Sequence, residues 1–373
     1  MVAAFATFAV LTASGCSGFF VPENSSSSSG GNSTGNGDYV YVANQTTGTL
    51  AGFSVGSSAV TPVSGSPYSL GFTPNAVAIN PANTIVFVSG TSGGLGFIDA
   101  FSIGSNGNLS LLNQNNVGLA DPISLDISPD GQWLIGLDAN ALSVDEYQIN
   151  ASTGQLTLAN GQTYVISNAA VVPRGLKISP NGNFVFAAIG TAGDLVFPFN
   201  TTTGVISNGT VWAAPANSSE NALAISPNGN YLYVARSGTN GGLAIYTISS
   251  AGVLTAVTGS PFTAGSQPFS VVVSTSGSNA YVANQLDSTI SGYSLSSSGT
   301  ATALTGSPYT NASQPSALAV DNSGKYLLAI SNAGSPDLTL YSFDSTTPGK
   351  LNQITTTSTG TDPTGPVAIA ATH

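Results

Sequence analysis

The chain has 373 residues, of which 41% are hydrophobic and 6% charged, with five Lys or Arg against sixteen Asp or Glu for a formal net charge of −11. So few and scattered basic residues exclude a nucleic-acid partner, because phosphate binding needs grouped Lys and Arg to displace counterions. One cysteine and one histidine leave no Cys or His metal set.

Residues 1–15 are small and apolar and end Leu11-Thr12-Ala13-Ser14-Gly15 directly before Cys16. This pattern resembles a bacterial lipoprotein signal, which is cut before a cysteine that then receives lipid. Ala13 stands where leucine is preferred, and no Lys or Arg precedes the apolar run. The resemblance implies a lipidated Cys16 and an exported chain touching a membrane only through that lipid. A lone buried cysteine after an ordinary signal peptide is the alternative. The run is shorter than the ~20 residues a spanning helix needs. Residues 16–37 continue into a Ser, Gly and Asn stretch that cannot bury anything and reads as a flexible tether.

From residue 38 the chain is read as one repeat domain. Its clearest unit, NALAISPNGNYLYVARSGTNGGLAIYTI at residues 221–248, contains three apolar runs of strand length and none of helical period. Between the first two sits Ser226-Pro227-Asn228-Gly229, where proline presets the second turn position and glycine takes the positive φ that re-enters the next strand. Seven such first runs recur, at residues 75–79, 124–127, 175–178, 222–225, 270–273, 317–320 and 366–370. The turns after them are spaced 47 to 51 residues apart, the period of a four-stranded propeller blade.

Strands are named A to D from the channel outward. Seven B runs begin with YVYVA at residues 39–43, and seven C runs with TLAGFSV at residues 49–55. Three weak, polar D runs end in a repeated turn (Gly65-Ser66-Pro67, Gly259-Ser260-Pro261 and Gly306-Ser307-Pro308) expected to lead into the next blade. The first segment lacks an A strand and the last, at residues 366–370, lacks a B strand. The two ends should therefore pair within one blade and close an all-β, seven-bladed propeller of four-stranded antiparallel blades.

The ISPNGNYLYVA and GSPF elements resemble the lactonase-type, or YVTN-repeat, seven-bladed propellers, which include bacterial 6-phosphogluconolactonases. In the enzymes of that family an A strand is entered through Gly-Pro-Arg-His and a glutamate follows the next B strand. Here the sequence is Val172-Pro173-Arg174-Gly175, and Ile189-Gly190-Thr191 follows the B strand, so the arginine is kept while the histidine and glutamate are not. The resemblance implies a lactonase fold, and without a proton-transfer group near neutral pH it implies catalysis weakly.

Antiparallel pairing should bring Asp121, Arg174, Glu220 and Asp362 at A-strand starts to one end of the ring. Asp138 and Arg236 at B-strand ends, and Asp194, Asp287 and Asp337 in B–C loops, should join them. Arg174 and Arg236 in neighbouring blades can clamp a carboxylate or phosphate, with Glu220 beside them, or can pair with Glu220 and Asp194 to hold the blades in register. Trp133 and Trp212 read as blade packing rather than a sugar platform. No dinucleotide fingerprint, P-loop or nucleophile elbow occurs, so no cofactor is expected. The sequence points to a monomeric binding or scaffold module whose partner is a small anionic ligand, a surface protein or a polysaccharide. The alternative is a lactone hydrolase working through Arg174, Arg236 and a carboxylate base at Glu220 or Asp194. A surface-layer component that self-associates is the third reading.

Overall fold

The structure, a computed structural model, describes residues 37–165, 171–310, 313–360 and 365–373, which fall in the compact unit Asn36–His373. Cys16, the signal and the tether before residue 37 lie outside the described residues, as does Asp362. Every regular element described is a β-strand, and no helix among these residues is long and apolar enough to cross a membrane.

Seven antiparallel sheets form the blades of a propeller. Blade 5 shows the pattern, with A Ser218–Ile225, B Tyr231–Gly238, C Gly242–Ile248 and D Leu254–Ala256 in spatial order. The A–B turn is built as its residues require. Gly229 N–H donates to the Ser226 carbonyl at 2.8 Å, and Gly229 adopts φ +72°. The Ser226 hydroxyl donates to Asn228 Oδ1 and accepts from Tyr231 N–H at 2.9 Å, so serine satisfies the donor that opens the B strand.

Closure follows the phase of the repeat. Pro366–Ala371 pairs antiparallel with Tyr39–Asn44, with Val42 opposite Ile369 and Tyr41 opposite Ala370. Thr372 completes the latch, its backbone N–H donating to the Tyr39 carbonyl at 2.9 Å and its hydroxyl accepting from Tyr39 N–H at 3.0 Å. Asp337 Oδ2 of blade 7 accepts from the Thr359 hydroxyl at 2.7 Å, and the Thr359 carbonyl accepts from Asn44 Nδ2 of blade 1 at 2.9 Å.

The apolar core is divided among the seams between blades. Leu232 and Val234 of one B strand face blade 4, where they meet Phe186, Ala188 and Val196, while Tyr233 and Ala235 face Val271, Val282 and Tyr293 of blade 6. Val40 and Val42 face Leu328, Ile330, Leu338 and Leu340 of blade 7 in the same way, whereas Tyr41 and Ala43 face blade 2. Alternation along a strand thus feeds two seams at once, which is why B strands are apolar on both faces. Seams are also keyed by aromatic residues that open a B strand and reach the next blade's C–D turn. Trp133 Nε1 donates to the Thr201 carbonyl at 2.6 Å, and a Cβ on Gly204 would lie 2.3 Å from its ring.

The repeated Gly-Ser-Pro turns do not lead into the next blade. In blades 1 and 6 the segment after the turn returns to its own C strand, Tyr68–Ser69 to Thr49–Leu50 and Tyr309–Thr310 to Thr289–Ile290, and Phe262 bridges Leu243 likewise in blade 5. The reason lies in the serine, whose hydroxyl accepts a C-strand N–H at 2.9 Å (Gly52 to Ser66, Ile245 to Ser260, Gly292 to Ser307) and so splits one D edge into two pieces.

Removing residues 366–373 strips blade 1 of its inner strand and leaves the inner backbone edge of Tyr39–Asn44 unpaired. The expected outcome is loss of the single cooperative transition in denaturant unfolding followed by circular dichroism. An unchanged midpoint would show the latch to be dispensable.

Candidate functional site

The registers of the seven A–B pairs align the A strands column by column, and the departures from the repeat become visible. The strand-opening column holds Pro366, Pro74, Pro122, Pro173, Pro268 and Pro315, and in blade 5 alone it holds Glu220. The next column holds Val367, Asn75, Ile123, Arg174, Asn221, Phe269 and Ser316, which ring the mouth of the central channel. Three residues further along, Ala370, Ala78, Ala224, Val272 and Ala319 are small or apolar, whereas blades 3 and 4 place Asp126 and Lys177 side by side.

The channel encloses about 410 Å³, and its wall is mostly Ala, Val, Leu and Ser, with Arg174 and Lys177 as the charged lining residues. Arg174 is exposed, and its guanidinium has no hydrogen bond or ion pair among the described residues. Its backbone N–H donates to the Ala188 carbonyl at 2.9 Å, which fixes the root of the side chain. Lys177 Nζ lies 3.7 Å from Asp126 Oδ1, and Asp126 Oδ2 accepts from Ile178 N–H at 2.8 Å, so the acid is anchored across the seam while the lysine stays half exposed.

Glu220 and Arg236 occupy a different place. They face each other across the A–B pair of blade 5, buried at 1% and 3% exposure. Arg236 donates from Nε to Glu220 Oε1 at 2.8 Å, with Nη2 at 2.7 Å from the same oxygen, and Nη2 also donates to the Tyr246 hydroxyl. The two arginines therefore do not converge, since Arg236 is spent on Glu220 inside the seam while Arg174 stands in the channel. Asp194 is not in a loop. It is the first residue of the blade 4 C strand Asp194–Asn200, 1% exposed, and joins the buried pair from the adjacent blade. Burial pushes the Asp194 carboxyl well above the usual carboxylate range, and the Glu220 charge pushes the same way against the opposing pull of Arg236. Burial also raises Glu220, with the Arg236 hydrogen bond and charge opposing.

The other acids of this end serve the loops. Asp138 Oδ1 accepts from Asp121 N–H at 2.8 Å and Asn140 N–H at 2.7 Å, and Asp287 Oδ2 accepts from Ser266 N–H. Asp121 accepts from Asn75 Nδ2 at 2.7 Å, and Asp337 belongs to the latch. Trp212 Nε1 donates to the Leu254 carbonyl at 3.1 Å, so both tryptophans pack one blade on the next. Among the described residues no three His, Cys, Asp or Glu gather as a metal site. Lys177 was legible only once the columns were aligned, because inside the run GLKI nothing marks it as facing a channel. The same alignment is what sets Asp194 apart from the leucine, isoleucine or valine of its column.

Residues 208–299 and 254–365 match the model of the family described as Lactonase, 7-bladed beta-propeller. No curated protein matches the chain. Among solved structures, a candidate 6-phosphogluconolactonase from Bacteroides uniformis aligns at TM-score 0.75 and 17% identity, covering 90% of this chain and 100% of that one. A protein from Lactobacillus plantarum aligns at TM-score 0.76 and 17% identity with the same coverage. The periplasmic gluconolactonase of Pseudomonas aeruginosa aligns at TM-score 0.68 and 16% identity, covering 90% and 99%. At such identities these structures establish the fold, a seven-bladed propeller, and the family match over residues 208–365 supports a likeness to the lactonase-type propellers.

The two ion pairs differ in burial, so their removal should differ in cost. Arg236→Met leaves the Glu220 carboxylate buried without its cation and is expected to lower the unfolding free energy by about 3–5 kcal/mol. Lys177→Met breaks a solvated pair and should cost at most about 1 kcal/mol. Denaturant midpoints of the two variants check the ordering.

Proposed function

We propose that this lactonase-type seven-bladed propeller is a binding module of the cell envelope, lipid-anchored through Cys16, whose channel takes a small anionic group on Arg174. The observation that carries this reading is the unpaired guanidinium of Arg174 in an otherwise neutral mouth ring, with Lys177 three residues, or ~10 Å, further along the same strand. In a chain of net charge −11, two of the five basic residues line this one channel, so an anion meets a more favourable potential there than over an acidic surface. The planar fork of a guanidinium matches a carboxylate or phosphate bidentately. Glu220 and Arg236 act behind the wall, holding the seam beside the strand that carries Arg174. The anionic group can belong to a free metabolite or to a surface protein or polysaccharide.

A lactone hydrolase is the second reading, favoured by the family match over residues 208–365 and by the likeness to a periplasmic gluconolactonase. It would need Glu220 or Asp194 as base, and both are 1% exposed, out of reach of a channel ligand. The burial of both carboxylates favours binding over catalysis.

Titration of the full chain with inorganic phosphate and with gluconate in a calorimeter separates the readings. Binding of either anion is expected, weakened about tenfold or more by Arg174→Ala, since a hydrogen bond to a charged group is worth roughly 1.5–3 kcal/mol. No binding of either, or binding indifferent to Arg174→Ala, would sink the anion site. Opening of 6-phosphogluconolactone above its spontaneous rate, lost in Arg174→Ala, would instead establish the hydrolase.

The anchor has its own test. Cells expressing the full chain should incorporate labelled fatty acid into it, and Cys16→Ser should abolish incorporation. Equal labelling of the two forms would remove the lipid anchor.

A further inference from the structure

The seam between blades 4 and 5 departs from the other six seams at one column. Opposite the B-strand residues Ala43, Ser89, Leu137, Ala235, Ala283 and Ile330, the C strands carry Leu50, Ile98, Val144, Leu243, Ile290 and Leu338. Blade 4 carries Asp194 opposite Ala188. The acid thus points where an aliphatic side chain fills the seam elsewhere, and Asp194 Oδ1 is buried without a hydrogen-bond partner. Across the seam Glu220 stands in the proline column, and its Oε2 is also buried and unpartnered, because Arg236 serves only Oε1. The backbone brings the two strands together there, Glu220 N–H donating to the Gly190 carbonyl at 3.0 Å.

The charge count of this cluster does not balance. The groups facing one another are Asp194 from blade 4 and Glu220, Arg236 and Tyr246 from blade 5, that is, two carboxylates, one guanidinium and a neutral phenol. With both acids ionised the seam would hold a net negative charge out of water, which costs far more than leaving one acid neutral. Two unpartnered carboxylate oxygens need a donor, and a carboxylic acid supplies its own O–H.

We propose that this seam is a proton-binding site, in which Asp194 and Glu220 retain one proton between them at neutral pH, and that its release loosens blade 4 from blade 5. The proton neutralises the cluster to one ion pair beside one carboxylic acid. Asp194 is its main seat, since Glu220 already has the guanidinium.

The sign of the linkage follows. The folded chain keeps a proton that the unfolded chain releases near the ordinary carboxylate value of 3.8. This seam therefore costs no stability below that value, and its cost grows as pH rises towards the raised folded-state value. Asp194→Leu restores the residue type of the other blades, and Asp194→Asn keeps the shape without a proton. Thermal unfolding of the full chain and both variants at intervals from pH 4 to 9 should show their melting temperatures gaining on the parent as pH rises. The un-ionised carboxyl band in the infrared spectrum at pH 7 should weaken in both. Asp99 in blade 2 is the control, because burial pushes it up only to about 6, so that it is mostly ionised at pH 7 and Asp99→Asn should leave that band nearly unchanged. A melting difference that stays flat across pH together with an unchanged band would overturn the proposal. So would variants less stable than the parent by the same margin at every pH, since Asp194 would then be an ionised partner of Arg236.

Discussion

A blade of this protein cannot bury itself. Its B strand is apolar on both faces, and each face finds cover only against a neighbouring blade, as Leu232 and Val234 do against blade 4 while Tyr233 and Ala235 turn to blade 6. A fully buried aliphatic or aromatic side chain contributes roughly 1.5–3 kcal/mol, and that contribution exists only if a blade stands on each side. An open row of seven would leave two faces wet and two sheet edges bare. The pairing of Pro366–Ala371 with Tyr39–Asn44 removes both defects at once, so the rest of the molecule leans on one short antiparallel ladder.

That dependence is why so much of the fold could be read from residues alone. The turn Ser226-Pro227-Asn228-Gly229 dictates a hairpin by its own stereochemistry, and its recurrence sets the period. A missing first strand and a surplus last one leave a single way to close the ring. The D edge was less legible, because a Gly-Ser-Pro turn looks like an exit from the blade until the Ser66 hydroxyl is seen holding Gly52 N–H. The site was legible only in part. Arg174 announces itself by sitting at a strand entrance, but whether an arginine is free or paired depends on what stands across the sheet. Arg236 looked like its equal in sequence and proved to be spent on Glu220. Asp194 looked like a loop residue because one position decides whether a side chain faces solvent or seam, and the run Ala192-Gly193-Asp194 gives no signal of where the strand begins.

A ring of repeats offers an internal reference, since each column shows what the fold alone requires. Against it the departures are not scattered. Arg174 and Lys177 in the channel and Asp194 in the seam belong to blade 4, while Glu220 and Arg236 are its immediate neighbours in blade 5. The remaining mouth positions are amide, hydroxyl or apolar groups. Fold stability asks for none of the five charges, because the five other blades keep the same architecture without them. They are accounted for by a ligand, by one another or, for Lys177, by Asp126 of blade 3.

The two halves of this group obey different physics. Arg174 and Lys177 are wet, so their charge is cheap to keep and remains free to attract an anion over a distance set by screening. Asp194, Glu220 and Arg236 are dry, and a buried ion pair is often no more stabilising than well-packed aliphatic residues of the same volume. Leu50 and Ile98 show what such packing looks like in the same column. The charged seam therefore brings no evident gain in stability over its neighbours. What it does add is one directed bond across the seam, because Glu220, unlike the prolines of its column, has a backbone N–H, which donates to the Gly190 carbonyl of blade 4, while Arg236 and Tyr246 hold the Glu220 side chain from within blade 5. A seam fixed by a directed bond keeps one register where an aliphatic seam tolerates sliding, and the strand bordering it is the one that carries both channel cations. The geometry of the channel charges then depends on an element that the apolar repeat alone would not supply.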